Sequence, residues 1–249
     1  MIEATVLTFD TDWCPEFAIE FVADVLVRNA VPATWFITHQ SPAIDSLRCH
    51  PELFEIGIHP NFLPESTHGD SPGAVLSHCF RLAPGARSAR THGLAQSTPL
   101  LGEMMRAGVA VDVSLFLPGS SNLQPHAFRY YGKALLRVPY NWEDDYEMSQ
   151  PRCSWSFEEW ARGRPGLRVL DFHPIHVYLN APNIDGYDAI KRAVKDPISK
   201  VAQAAAEDHV NRSEGPRTFF EEAVAWLSRN GGARISDVED AWVAANGAP

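Results

Sequence analysis

Two aspartates, Asp10 and Asp12, stand one residue apart where an apolar, β-rich run ends, in the stretch VLTFDTDW (Val6–Trp13). In an extended chain, side chains two apart project from the same side. Two carboxylates crowded there repel each other, so a metal, a shared proton or a basic partner must neutralise them. Alternatively, they are loop acids that cap the helix after them. The rest of the chain decides between these readings by what it can supply.

It supplies imidazoles and a guanidinium at other strand ends. A strand over Leu53–Ile58 ends at His59, one over Ala86–Arg90 ends at Arg90 and His92, and Leu167–Phe172 ends at His173, with His176 just beyond. In a barrel of parallel strands all these ends face one rim. The other six histidines, His39, His50, His68, His78, His126 and His209, have no such placement. Carboxylate plus imidazole at an open site suits Zn²⁺ or another first-row divalent ion.

The elements that would position these groups follow a strand–helix rhythm. After Asp12, a helix from Pro15–Glu16 to about Asn29 carries a wide apolar face of Phe17, Ala18, Phe21, Val22, Val25 and Leu26. Ala33–Thr38 reads as a buried strand, Pro60–Pro72 as a loop, and Gly73–Leu82 and Ser97–Ala107 as helices. Val109–Val113 and Ala134–Val138 are strand candidates. Leu117–His126 and the acidic-aromatic Pro139–Tyr146 (PYNWEDDY) read as loops. Helical signals lie near Ala189–Val194 and Val201–Ala206. A strong helix starts at Pro216 and stops at Gly231-Gly232, and Ala233–Ser236 (ARIS) reads as a last strand before a helix from Asp237. Roughly seven or eight strands alternating with helices over one stretch of this length imply an α/β fold, a closed or nearly closed (β/α) barrel. One domain over residues 1–249 is expected.

Composition narrows the partners. With 249 residues, 45% of them hydrophobic, the chain has ample core, and a net charge of −10 disfavours nucleic acid or an anionic membrane. No apolar run approaches the ~18 residues of a membrane span. Asp10 and Asp12 interrupt any export-signal pattern at the N-terminus. The four cysteines show no CxxC spacing, so a reduced, cytoplasmic protein is the expectation.

The ordered set TFDTD, EIGIH, an Arg-led segment and a late strand ending in His-Pro resembles the polysaccharide deacetylases of the NodB-homology group, carbohydrate esterase family 4. The similarity covers most of Val6 to His176 and is fainter in the closing helix and GARIS strand. TFDTDW, GIHPNF and DFHPIHVYLN are most similar to a divergent branch found with surface-polysaccharide biosynthesis. The resemblance implies a distorted (β/α)7–8 barrel and metal-dependent removal of acetyl or related acyl groups from an amino sugar. It casts Asp10 as general base, Asp12 and His59 as ligands of a divalent metal, zinc foremost, Arg90 as the residue holding Asp10 ionised, and His173 as general acid. His176 could exchange roles with His173. The family's second metal histidine falls on Leu63, which cannot bind metal. His92 is the first choice to replace it, with Asn61 and His176 behind. Trp142, Glu143, Asp144 and Asp145 would line the rim and, with His176, contact the sugar. Nucleotide-linked, lipid-linked and oligosaccharide substrates all remain open, and the oligomeric state is not legible.

Two rivals stand beside this reading. A strand ending in DxD also resembles the haloacid-dehalogenase phosphatases, with Lys133 and Asp144-Asp145 completing a Mg²⁺ site. Against it, Trp13 stands where a Gly is expected, and Mg²⁺ would leave the histidines idle. The other rival is a catalytically silent barrel that binds saccharide, to which the loss of the second metal histidine points.

Overall fold

The computed structural model describes residues 1–194 and 197–249. Along the chain run β1 (Ala4–Asp10), α1 (Glu16–Arg28), β2 (Ala33–Ile37), α2 (Pro42–Leu47), β3 (Phe54–Ile58), α3 (Pro72–Leu82) and β4 (Ser88–Ala89). Then come α4 (Thr98–Ala107), β5 (Val111–Asp112), β6 (His126–Tyr130), β7 (Lys133–Arg137), β8 (Trp142–Glu143), α5 (Asp144–Ser149) and α6 (Phe157–Ala161). The last part comprises β9 (Leu167–Phe172), α7 (Pro174–Leu179), α8 (Ile184–Ala193), α9 (Gln203–Glu207), α10 (Pro216–Asn230) and α11 (Ile235–Asn246). No helix among the described residues is long and apolar enough to cross a membrane.

The strands form one sheet in the order β6-β7-β5-β4-β3-β2-β1-β9-β8, with every neighbour pair parallel except β6–β7. The sheet curls shut because one extended stretch serves both flanks. β7 pairs with β5, and the same chain continues through Val138, whose N–H donates to Asp112 O at 2.9 Å, and Tyr140, whose N–H donates to Leu115 O at 3.0 Å. Asn141 N then donates to Val169 O at 3.1 Å and β8 pairs with β9. Counting β7 and β8 as one bent stave, the result is a distorted seven-stave α/β barrel, with β6 as an antiparallel appendage.

Strand alternation sorts the side chains into two sets. From β1, Leu7 and Phe9 face outward into the layer beneath the helices, with Trp35 from β2 and Leu170 and Phe172 from β9. Val6, Phe36, Val111, Leu136, Val138, Tyr140 and Val169 fill the lumen, and Ile235 and Val238 of α11 close its floor. Gly57, paired with Phe36, leaves that ring its space, since a Cβ there would come within 2.6 Å of it. Above this apolar fill the inward positions turn polar: Thr8 opposite Asp171, then Asp10.

Five local expectations are corrected. PYNWEDDY is not a loop: Trp142–Glu143 pair with β9 and the following acids start α5, where a helix N-terminus favours them. ARIS is not a strand: Ala233 makes a single bridge to Val6. The helix begins at Ile235, two residues early, because the Asp237 carboxylate caps the Arg234 N–H at 2.8 Å. Ala86–Arg90 shrinks to a two-residue strand, and the hairpin strand β6 begins at the end of the expected Leu117–His126 loop. Nor is Trp142 at the rim. It is buried, stacked on Phe219 at 4.0 Å and against Phe172 at 4.7 Å, so neither face is open to a sugar. Trp142→Ala is therefore expected to lower the unfolding free energy by ~3–5 kcal/mol in a denaturant titration. A loss below ~1 kcal/mol would contradict this packing.

Candidate active site

Asp10 ends β1 on its lumen face, as the alternation dictates, but Asp12 leaves that register. Asp12 and Trp13 both take left-handed backbone conformations, at φ 40° and 52°, which cost bulky residues energy unless the surroundings hold them. Thr38, just after β2, does the holding. Its N–H donates to Thr11 Oγ1 at 3.0 Å, and its Oγ1 accepts from Trp13 N at 2.9 Å. The turn separates the two carboxylates, and the His59 ring lies between them. Its Nδ1 is 3.5 Å from Asp10 Oδ2 and its Nε2 is 3.1 Å from Asp12 Oδ1.

His92 completes a cluster with Asp12 and His59. Its N–H donates to Pro60 O at 3.0 Å, and its Nδ1 lies 3.1 Å from Asp12 Oδ1 and 3.3 Å from His59 Nε2. These three atoms form a triangle with sides of 3.1, 3.1 and 3.3 Å. A tetrahedral ion with ligand bonds of ~2.0–2.1 Å has donor–donor edges of about 3.3 Å, so the donor set fits such an ion with one position open. The hydrogen bonds explain the electrostatics. Burial pushes the Asp12 carboxyl up, but His173, His59 and His92 outweigh it and hold it well below the usual carboxylate range. The same bond to Asp12 raises His92. Leu63 is exposed, the Asn61 side-chain Oδ1 accepts from Leu63 N at 3.0 Å, and His176 lies in another cluster, so none of the three enters this triangle.

Behind the triangle, Arg90 sits wholly inside the barrel. Its Nη1 bonds Asp171 and, at 3.1 Å, Asp10 Oδ1. Its Nη2 donates to Thr8 Oγ1 at 2.8 Å and its Nε to Val113 O at 3.3 Å. The guanidinium lies over the Tyr140 ring at 4.4 Å and the Phe36 ring at 4.8 Å. Burial works against its charge, but Asp171 and Asp10 overcome it and raise its pKa further. Burial pushes Asp171 well above the carboxylate range, against the pull of Arg90. Asp171 and Thr8 are site residues that the sequence reading missed. Asp171 was detectable, since it sits two before His173 in LRVLDFH and so shares its face.

His173 stands at the N-cap position of α7 and is held by Asp144, which accepts its backbone N–H and its Nδ1, each at 2.7 Å. That grip directs Nε2 toward Asp12 Oδ2, 3.5 Å away. Burial disfavours the imidazolium, but Asp145, Asp144 and the bond to Asp12 raise His173 well above its ordinary value. Asp144 is itself buried, yet His173 and His176 keep it below the usual range. It binds the histidine rather than facing a sugar. Glu143 accepts from Tyr140 Oη at 3.1 Å, and burial pushes it up to about 7. Lys133, required by the phosphatase reading, is exposed on the hairpin.

The model of the WbmS-like polysaccharide deacetylase family matches residues 7–191. The chain is similar to a crystal structure of a candidate polysaccharide deacetylase involved in O-antigen biosynthesis from Bordetella bronchiseptica. The two share 32% identity over 89% of this chain and 90% of that one, with a TM-score of 0.73. Its fold is also similar to a candidate polysaccharide deacetylase from Mycobacterium smegmatis (15% identity, 96% and 90% of the chains, TM-score 0.58). A third likeness is to a 4-alpha-glucanotransferase from Thermococcus litoralis (9% identity, 95% and 38%, TM-score 0.56). The last two likenesses concern the fold. No curated protein matches.

A carboxyl whose folded-state pKa is raised, like Glu143, contributes stability that is full below about 4.5 and is lost as pH rises through about 7. Glu143→Gln should flatten that fall in the metal-free protein, by roughly 3 kcal/mol at most, in urea titrations across this window. An unchanged pH slope would refute the assignment.

Proposed function

This chain belongs to the WbmS-like polysaccharide deacetylase family, and on that premise we propose that it is a metal-dependent hydrolase. It removes an acetyl group from an amino sugar during polysaccharide biosynthesis. The observation that carries the reading is the Asp12–His59–His92 triangle, with Asp10 Oδ2 beside His59 and His173 Nε2 beside Asp12, each at 3.5 Å. Asp12, His59 and His92 would hold a first-row divalent ion, zinc foremost. When bound, such an ion lowers the pKa of water to near ~7 and polarises a carbonyl.

The remaining work falls to side chains. Asp10 takes the proton of the attacking water, its carboxylate held in place by the Arg90 Nη1 bond of 3.1 Å. His173 gives the proton that an amine needs in order to leave. Asp144 binds its Nδ1, so the donating atom is Nε2, which faces the Asp12 side of the site. Asp145 and Asp144 beside it favour its imidazolium form. A surface-polysaccharide substrate is supported by the likeness to the Bordetella protein, described as involved in O-antigen biosynthesis.

A second reading has one observation in its favour. Asp10 Oδ2 lies 3.5 Å from His59 Nδ1, so Asp10 could instead orient that ring. The two roles separate under mutation. As base, Asp10→Asn is expected to retain metal and lose acetate release by ~10²–10⁴-fold, whereas Asp12→Ala loses both. If Asp10→Asn instead weakens metal affinity ~10–100-fold while the metal-loaded variant turns over normally, Asp10 only orients His59. His173→Gln should retain metal and lose ~10²–10⁴-fold in acetate release. Full activity there would remove His173 as the acid.

A further inference from the structure

We propose that Asp144, Asp145 and His176 form a second divalent-cation site at the barrel mouth, separate from the Asp12–His59–His92 triangle. His176 lies one helical turn after His173 on α7 and is only 3% exposed. Its Nδ1 is 3.3 Å from Asp144 Oδ1 and 3.3 Å from Asp145 Oδ1, yet it makes a hydrogen bond with neither. A buried ring nitrogen equidistant from two carboxylate oxygens and aligned with neither is poorly served as a donor. It is well placed as a ligand converging with them on a common point. Both distances match the donor–donor edge of about 3.3 Å around a tetrahedral first-row ion.

The two carboxylates differ in how free they are. Asp144 Oδ1 already accepts from His173 Nδ1 at 2.7 Å and from Asp145 N at 2.8 Å, so it would be shared between His173 and the ion. The Asp145 carboxylate accepts no hydrogen bond among the described residues, and its side chain is 46% exposed. The open side of the site therefore faces solvent, where water or substrate oxygens can complete the coordination. One ligand atom from each of Asp144, Asp145, His173 and His176 falls within 4.8 Å of all the others. Two carboxylates and an imidazole suit Mn²⁺ or Zn²⁺. The competing arrangement is a His176 imidazolium held between the two acids with no ion.

The test is an ion count. The full chain is stripped with a chelator, reloaded with Zn²⁺ or Mn²⁺, desalted and measured by elemental mass spectrometry, with circular dichroism as the folding control. Two ions per chain are expected, falling to one in His176→Gln and in Asp145→Asn. The second variant alters a half-exposed side chain and so keeps the test valid if the first does not fold. One ion per chain that survives both variants and disappears in His92→Ala would overturn the proposal. One ion lost in Asp145→Asn but kept in His92→Ala would uphold it while overturning the site assigned under the proposed function. No ion at all would overturn both.

Discussion

A guanidinium buried without any exposure to water holds the mouth of this barrel together. Arg90 binds Asp10 from β1, Asp171 and Thr8 across the β1–β9 pair, and the Val113 carbonyl just after β5, between two aromatic rings. Such a charge is tolerable only because its donors are matched. Removing one partner of a buried pair typically costs about 3–5 kcal/mol. Because Asp10 is fixed from below, its other oxygen is aimed at His59, and the crowding of acids at the rim is partly relieved. The apolar lumen beneath, from Val6 to Val169, lets this single charge act with little screening.

From that anchor the site is built outward by strand ends. Thr38 stabilises the turn that swings Asp12 out of the β1 register, and Asp144 grips His173 at two points. The groups that could exchange protons thus border the donor triangle, Asp10 at His59 and His173 at Asp12, and each is oriented by a separate buried partner.

Much of this was legible in the residues. Apolar runs that end in Asp10, His59 and His173 announce both the strands and the rim, because side-chain alternation and the parallel topology follow from local pattern. His92 could be nominated from its place at a strand end, and the structure brings it beside Asp12 and His59. What the pattern hides is whatever depends on distant contacts. Trp142 in an acidic stretch looks exposed, yet Phe219, far along the chain, covers it. ARIS has strand-like residues, yet one capping carboxylate at Asp237 makes them a helix start. The left-handed turn at Asp12 and Trp13 has no glycine to signal it, since Thr38 supplies the stabilisation from just beyond another strand.

The central claim is that Asp12, His59 and His92 bind one ion, with His92 in the place that Leu63 cannot fill. Anomalous diffraction from a crystal grown with Zn²⁺, recorded on both sides of the zinc edge, tests it directly. The account expects a peak bonded to Asp12 Oδ1, His59 Nε2 and His92 Nδ1. A peak that omits His92, or no peak between Asp12 and His59, would contradict it.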